Sequence, residues 1–474
     1  MSAPILLTAD QLPDDELRII AELQRRLEAH KPVNALIEGY YEGSYRVDQL
    51  KISIPPELEN QLRTVVGWPG TTVDVLEERL DFIQWNEPTD FGLAQIFDDN
   101  ELEVESGLGH LDALTYGIGF ICVGAGGVSE PSPLVTVESA RNTTGLWDAR
   151  QRRLTAALTV HANDSGDVLW ATLYLPDSTV QLSRQSVGAV WRVDDRDEHR
   201  LGRVPVVQLV NRPRSGRRVG RSEITRAVRG YTDTAVRTLS GMEVNREFYS
   251  APQRYVLGAG PSAFVDNEGN PIPGWQTIMG RVWGLDRGED EELPQVGQFP
   301  ASSPGPYLEQ IRGLAQLLAA EAAIPPTYLG FATDQAASAD AIRAMEARLV
   351  KRAERRQTVF GTAWREVARL AMLVRDGVVP DEFNQVSVKW RDAATPTRSA
   401  AADEATKLVS AGVLPPDSSV TYDRIGLAPV EQRQLDADKR RSSVGQLMEQ
   451  LRAQNGGISA GAAIPAGSSQ PAGE

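Results

Sequence analysis

The chain has 474 residues, 41% of them hydrophobic, enough for roughly two to four domains with real cores. Its 49 basic and 64 acidic side chains leave a formal charge of −15, the wrong sign for a protein that simply coats nucleic acid, so any contact with DNA is expected to be local or non-adhesive. Cys122 is the single cysteine, which excludes an internal disulfide and a thiolate metal site and fits a reducing, intracellular origin.

His30, His110, His161 and His199 are scattered without the spacing that zinc or a facial iron site needs, so no metal and no cofactor is expected. The N-terminus lacks a basic region followed by an apolar core, and no run of about 18 apolar residues occurs, so neither a secretory signal nor a membrane span is expected.

In chain order, "PDDELRIIAELQRRLEAHKP" places Leu17, Ile20, Leu23 and Leu27 at helical spacing behind an acidic first turn, and predicts a helix. Short helical pieces broken by Pro and Gly follow, through "DFIQW". From Asp81 to Ala140 there are eleven acids and no Lys or Arg, which predicts a charged surface rather than a core: either a solvated face or a surface for a basic partner. "LDALTYGIGFICVGAGG" suggests a helix end and a glycine-bearing strand. It is not a phosphate loop, because Gly126-Gly127 is followed by Val128-Ser129 rather than Lys-Ser/Thr, and it misses the dinucleotide fingerprint. Turn glycines in an antiparallel sheet fit better, and the sheet continues through an Asn163 to Gly166 turn.

Between Arg200 and Arg254 twelve arginines face four acids, a net of +8 inside an acidic protein. There "GRSEITRAVRGYTDTAVRTLSGMEVNREFY" predicts a helix of nearly thirty residues capped by Ser222. A Pro- and Gly-rich β insertion follows, with a turn at Asn267 to Asn270 and an acidic tip at Glu289, Asp290, Glu291 and Glu292. A second helix carries Leu308, Ile311, Leu314 and Leu318 in phase until Pro325-Pro326 ends it.

Beyond that break, Ile342, Met345, Leu349, Ala353, Phe360, Trp364, Val367, Ala371 and Val374 keep a helical step over a length of roughly 48 Å. Arg343, Arg348, Lys351, Arg352, Arg355 and Arg356 are expected to make its exposed side basic. A strand, several small helices and a Gly/Ala/Ser/Pro tail, too polar to order, complete the chain.

Two long helices around a β insertion, then a broken helix that restarts as a very long one, resemble the portal proteins of tailed double-stranded DNA phages. Three stretches carry the wording: "GRSEITRAVRGYTDTAVRTLSGMEVNREFYSAPQRYVLG", "IPPTYLGFATDQAASADAIRAMEARLVKRAERRQTVFGTAWREVARLA" and "VSVKWRDAATPTRSAAADEATKLVSAGVLPPDSSVTYDRIGL". The resemblance covers roughly Ala35 to Leu451, and the ordered set of segments carries it rather than any one motif.

It implies an α+β ring subunit with a lead-in and wing (1–205), a first stem helix (206–250), a clip (251–303), a second stem helix (304–325), a tunnel loop (326–340), a long helix with a return strand of the wing (341–395), a helical crown (396–455) and a disordered tail (456–474). It also implies a homo-oligomer, expected to be a dodecamer, at the portal vertex of the virion capsid and assembled in the host cytoplasm. DNA would pass through its channel. Its partners would be the terminase large subunit, a head-to-tail connector or adaptor protein, the major capsid protein and scaffold. The tunnel loop would face DNA through Thr333, Asp334, Gln335 and Ser338, with Pro325-Pro326 and Gly330 breaking the rod; a plain helix-to-helix turn is the alternative.

Fixed cations along a bore would hold a duplex by many contacts at once, whereas an acidic ring repels and centres it. The basic patches then need another use, and Arg226, Arg229, Arg348, Arg352 and Arg355 are expected at subunit interfaces, facing a neighbour's acidic wing. Competing readings are another head-to-tail or DNA-binding structural protein, and an enzyme. For the enzyme no nucleophile elbow, activated nucleophile or phosphate loop is present, so no catalytic residue is expected.

Overall fold

A computed structural model describes residues 12–48, 63–249, 254–258, 270, 295–298, 303–331, 339–394, 398–427 and 429–456. The chain divides into two compact units, the first ending at Ala394 and the second beginning at Thr395. Helix and strand are mixed in an α+β arrangement.

Helix α1 (Asp14–Tyr41) opens on Asp14, Asp15 and Glu16, which suit the positive end of the helix dipole. It runs through Pro32 instead of stopping there, because residues beyond the proline are held: Ile37 and Tyr40 are buried, Asn34 Nδ2 donates to the Ala140 carbonyl (3.0 Å) and Tyr40 Oη donates to Asp233 (2.7 Å). Those contacts offset the one ladder bond that a proline removes. Helix α2 (Trp68–Glu77) follows, and then β1 (Phe82–Asn86). Here the expected helical pieces give way to a strand, whose hydrogen-bonded partner lies 301 residues away in sequence.

Helices α3 (Leu93–Asp99) and α4 (Leu102–Tyr116) lie within the acidic stretch. The expectation of a surface rather than a core is corrected: Asp98, Asp99, Glu101 and Glu103 are exposed, but Leu93, Ile96, Phe97, Leu102, Ala113 and Leu114 between them are buried in the main core. One face is charged and the other packs, as amphipathic helices require.

Gly117 (φ 93°) ends α4, and β2 (Ile118–Gly124) begins at once. Strand β2 is the centre of a three-stranded antiparallel sheet ordered β3-β2-β9, with β3 at Leu134–Glu138 and β9 at Val206–Val210. Both of its faces are covered: Ile121 and Val123 enter the main core, while Phe120 and Cys122 enter a smaller one. Between β3 and β9 lies a five-stranded antiparallel meander of β4 (Thr143–Asp148), β5 (Arg153–Ala162), β6 (Val168–Tyr174), β7 (Thr179–Ser183) and β8 (Arg192–Asp197). Its apolar face packs on Ile20, Leu23 and Leu27 of α1. The Asn163 to Gly166 turn joins β5 to β6, as the sequence predicts.

Helix α5 (Arg226–Tyr249) is shorter than expected at its start. Thr225 rather than Ser222 caps it, its hydroxyl oxygen accepting from Val228 N (3.3 Å), while Ser222 Oγ accepts from Ile224 N in the turn before. Strands β10 (Arg254–Leu257) and β11 (Gln295–Gln298) pair antiparallel within the expected insertion. The acidic tip Glu289 to Glu292 lies outside the described residues.

Helix α6 (Gly305–Ala322) packs on α5, and Val228, Ala315, Leu318 and Ala322 share the main core. Helix α7 (Ala339–Asp376) has 38 residues and extends about 57 Å. Phe360, Trp364, Val367 and Ala371 on it are fully buried against Phe82, Trp85 and Phe97. His110 stacks on Phe360 (5.2 Å, 9°) and its Nε2 accepts from Trp364 Nε1 (2.8 Å). Burial holds this histidine neutral, its pKa lowered to about 3. Strand β12 (Ser387–Trp390) closes the unit by pairing with β1.

In the second unit, α8 (Arg398–Ser410), α9 (Ser419–Ile425) and α10 (Pro429–Gly456) form a small helical group. Ser418 caps α9 by accepting from Val420 N (3.2 Å), and Lys439 of α10 bonds Asp417 and Tyr422. Residues 457–474 lie outside the described residues.

Candidate functional site

The break between α6 and α7 is built in three steps. Helix α6 stops at Ala322, three residues before the prolines expected to end it, because Ala323 adopts a left-handed backbone (φ 54°). Pro325 is extended, and Pro326–Leu329 make one 3₁₀ turn that ends at Gly330 (φ 86°), a conformation that favours glycine. Phe331 then packs against the main core. Thr333, Asp334, Gln335 and Ser338 lie outside the described residues, which resume at the start of α7.

Both feet of that segment are tied down. Tyr328 Oη donates to Glu346 Oε1 and accepts from Arg79 Nη2 (3.3 Å). Arg79, buried just after α2, also pairs with Glu346 (3.4 Å) and donates to the Ala393 carbonyl (2.6 Å). Burial, and then the bond to Glu346, push the Tyr328 hydroxyl's pKa up, so it stays a donor at neutral pH. Arg348 makes a second tie: its Nη1 donates to the Ala320 carbonyl (3.1 Å), a cation on the unsatisfied carbonyls at the end of α6.

Below this clamp a buried carboxylate joins the start of α5 to the long helix. Glu223 is 1% exposed, with Oε1 2.5 Å from Arg356 Nη2 and Oε2 2.5 Å from Arg352 Nη2 and 3.5 Å from Arg212 Nη1. Asn211 Nδ2 donates to Glu223 Oε1 (3.1 Å), while Asn211 Oδ1 accepts from Arg356 Nε (3.1 Å). Burial works to raise the carboxyl's pKa, but Arg352, Arg356 and Arg212 outweigh it and the net shift is downward. Two glycines permit this crossing of loops: a Cβ at Gly117 would stand 2.9 Å from the Arg221 backbone, and one at Gly220 would stand 2.0 Å from the Gly117 carbonyl oxygen.

The basic residues singled out in the sequence therefore divide. Arg352 and Arg356, expected on an exposed face, turn inward to Glu223; Arg352 is 16% exposed and Arg356 is buried. Arg226 and Arg355 are exposed, and Arg229 is half-buried with its guanidinium 5.8 Å from the Tyr40 ring. Sequence reasoning missed Glu223, Arg79, Tyr328 and Glu346. Glu223 had a signal, since it is the only acid between Arg200 and Thr232. Among the described residues, no group of three or more His, Cys, Asp or Glu could hold a metal ion, and no helix is long and apolar enough to cross a membrane.

These elements can hold a short segment on a fixed base and lock three helices against one another. Residues 21–421 match the family described as phage portal protein, SPP1 Gp6-like. The chain is 33% identical over 388 residues to a portal protein of Mycobacterium phage L5, covering 79% of this chain and 78% of that one. It is 34% identical, at the same coverage, to a portal protein of Mycobacterium phage D29. Among solved structures it is similar to a chain in the neck of a native gene transfer agent particle computed with C12 symmetry (TM-score 0.42, 13% identity, covering 80% of this chain and 95% of that one).

Proposed function

Because the chain belongs to the SPP1 Gp6-like family of phage portal proteins, we propose that its copies close side by side into a ring at one vertex of the virion capsid, with DNA packaged and ejected through the central channel. The ring is a homododecamer, the copy number implied by the resemblance read from the sequence. It assembles in the host cytoplasm against the major capsid protein and scaffold. The clip, residues 251–303, docks the terminase large subunit during packaging and a head-to-tail connector afterwards. The role is structural, and neither a catalytic residue nor a cofactor enters it.

The observation that carries this reading is the family match across residues 21–421, which spans the broken rod between α6 and α7. We assign the tunnel loop of the resemblance, residues 326–340, to the channel; its described foot at Tyr328 is held by Glu346 and Arg79. The clamp supports this assignment, since a loop that guides a moving duplex needs a base that does not move with it. A formal charge of −15 on each chain supports the low-friction bore. Fields reach about 8 Å at physiological salt, enough to centre DNA without gripping it.

Negative-stain microscopy of the purified chain is expected to show closed rings, and a chain that stays a lone unit in solution and in infected cells overturns the proposal. Deletion of Thr333 to Ser338 is expected to leave rings intact and to reduce the rate or extent of DNA packaging. Normal packaging by such rings would remove the loop from DNA handling.

A further inference from the structure

A cavity of about 240 Å³ opens between α1, the loop before α5 and the edge of β4. Arg26, Arg217, Arg218, Arg221, Arg226 and Arg229 line it, and no Asp or Glu does. Among the described residues, none of the last five has a carboxylate within ion-pairing distance, whereas Arg352 and Arg356 of α7 are fully engaged by Glu223. Two buried donors of the lining, Trp147 Nε1 and Arg229 Nε, lack a hydrogen-bond partner among the described residues. His30 feels the same positive field: burial, and then Arg217 and Arg26, lower its pKa. Buried donors left unmatched are uncommon in folded chains, where water or a further polar group completes them. At the rim, Val33 and Val219 are 52% and 42% exposed.

The same chain carries a surface of opposite character. Asp99 at the end of α3, Glu101 just before α4 and Glu103 on α4 are exposed, and Val104 and Leu108, one helical turn apart on α4, are 63% and 51% exposed. No lysine or arginine interrupts the segment from Asp81 to Ala140. An acidic helix face with an apolar pair matches a basic cleft with an apolar rim in both charge and hydrophobicity.

We propose that the arginine-lined cleft is the socket of a head-to-tail contact between copies of this chain, receiving the acidic α3–α4 face of a neighbour. The inference rests on the ring reading above and names the surfaces that close it. Two different patches on one chain, each complementary to the other, make a heterologous contact, the kind that repeats into a ring. Carboxylates of Asp99 and Glu103 meet Arg218, Arg226 and Arg229, while Val104 and Leu108 cover Val33 and Val219. This gives the stem arginines a use other than gripping DNA.

The test is a charge exchange on the full chain, with ring content read by sedimentation velocity and native mass spectrometry. Arg218→Glu with Arg226→Glu changes two exposed positions, and Asp99→Arg with Glu103→Arg changes two more. Like charges placed opposite each other at a contact are strongly unfavourable, so each pair of changes alone is expected to lower the ring fraction by about tenfold or more. The chain bearing all four changes is expected to regain rings above the level of either pair alone, because the contacts of positions 218 and 226 are then rewired with reversed sign while Arg229 stays basic.

Rings that survive the socket changes, or a four-change chain that fails to recover although it folds by circular dichroism, overturn the socket and leave the ring reading standing. Wild-type chains that form no ring overturn both. Socket variants that keep their rings but lose affinity for DNA assign the cleft to phosphate, which also overturns the proposal.

Discussion

Glu223 is where a single side chain decides most. It is buried, it faces three guanidinium groups, and its neutralisation would leave Arg352 and Arg356 without their counter-charge inside the protein. Removing one partner of a buried ion pair typically costs about 3–5 kcal/mol. Glu223→Gln, which keeps the shape, is therefore expected to lower the denaturant midpoint clearly at pH 7. The sign with pH follows from the downward shift of the folded carboxyl: its stabilising contribution is present above the unfolded value of 4.5 and is lost as pH falls through the folded one. The gap between wild type and variant should accordingly narrow below about pH 4.5, and a gap that stays constant with pH would mean that the carboxylate's charge is not what stabilises the cluster.

Nothing in the local pattern distinguishes Arg352 and Arg356 from Arg348 and Arg355, because periodicity marks the apolar stripe of a helix and not which flanking residues meet a second partner. The solitary acid at 223 is the one residue-level clue, and its partner lies 133 positions away.

At the scale of elements, breaks were more legible in type than in position. The two prolines signal the end of α6, yet the chain turns already at Ala323, whose left-handed backbone lets Ile324 N donate to the Ala319 carbonyl (3.1 Å). Pro32 signals a break that does not happen, since Ile37 and Tyr40 are held in the core beyond it. The length of α7 follows from its apolar step, and Phe360 and Trp364 lie where that step puts them.

The clamp at the start of α7 is an element-level device. Tyr328→Phe removes the bond to Glu346 and leaves the ring in place. Loss of one hydrogen bond, typically worth about 1 kcal/mol, is expected to speed amide exchange across Ala339 to Glu346 by about threefold to tenfold. Unchanged exchange there would mean that Tyr328 does not hold the foot of the segment.

For the whole molecule, charge is distributed by sign along the chain: an acidic stretch from Asp81 to Ala140 and a basic one from Arg200 to Arg254. If those stretches meet between copies, ring formation should weaken as salt screens them. The Debye length falls from about 10 Å at 0.1 M to about 3 Å at 1 M. The ring fraction at fixed protein concentration is therefore expected to fall over that range, by sedimentation velocity. Rings indifferent to salt would point to apolar contacts alone.

From its order of residues alone, this protein's long helices, its sheet-rich first half, the break before residue 339, the opposed charge blocks and the family likeness could be read, because each is written in neighbours a few positions apart. Only the tertiary structure decided that β1 pairs with β12, that His110 is sealed between Phe360 and Trp364, that the acidic helices also build the core, and that two arginines of α7 serve Glu223 while five of the cleft's arginines have no carboxylate partner among the described residues. Those outcomes join residues separated by a hundred positions or more, and such pairings are selected by the packing of the whole chain rather than by any local preference.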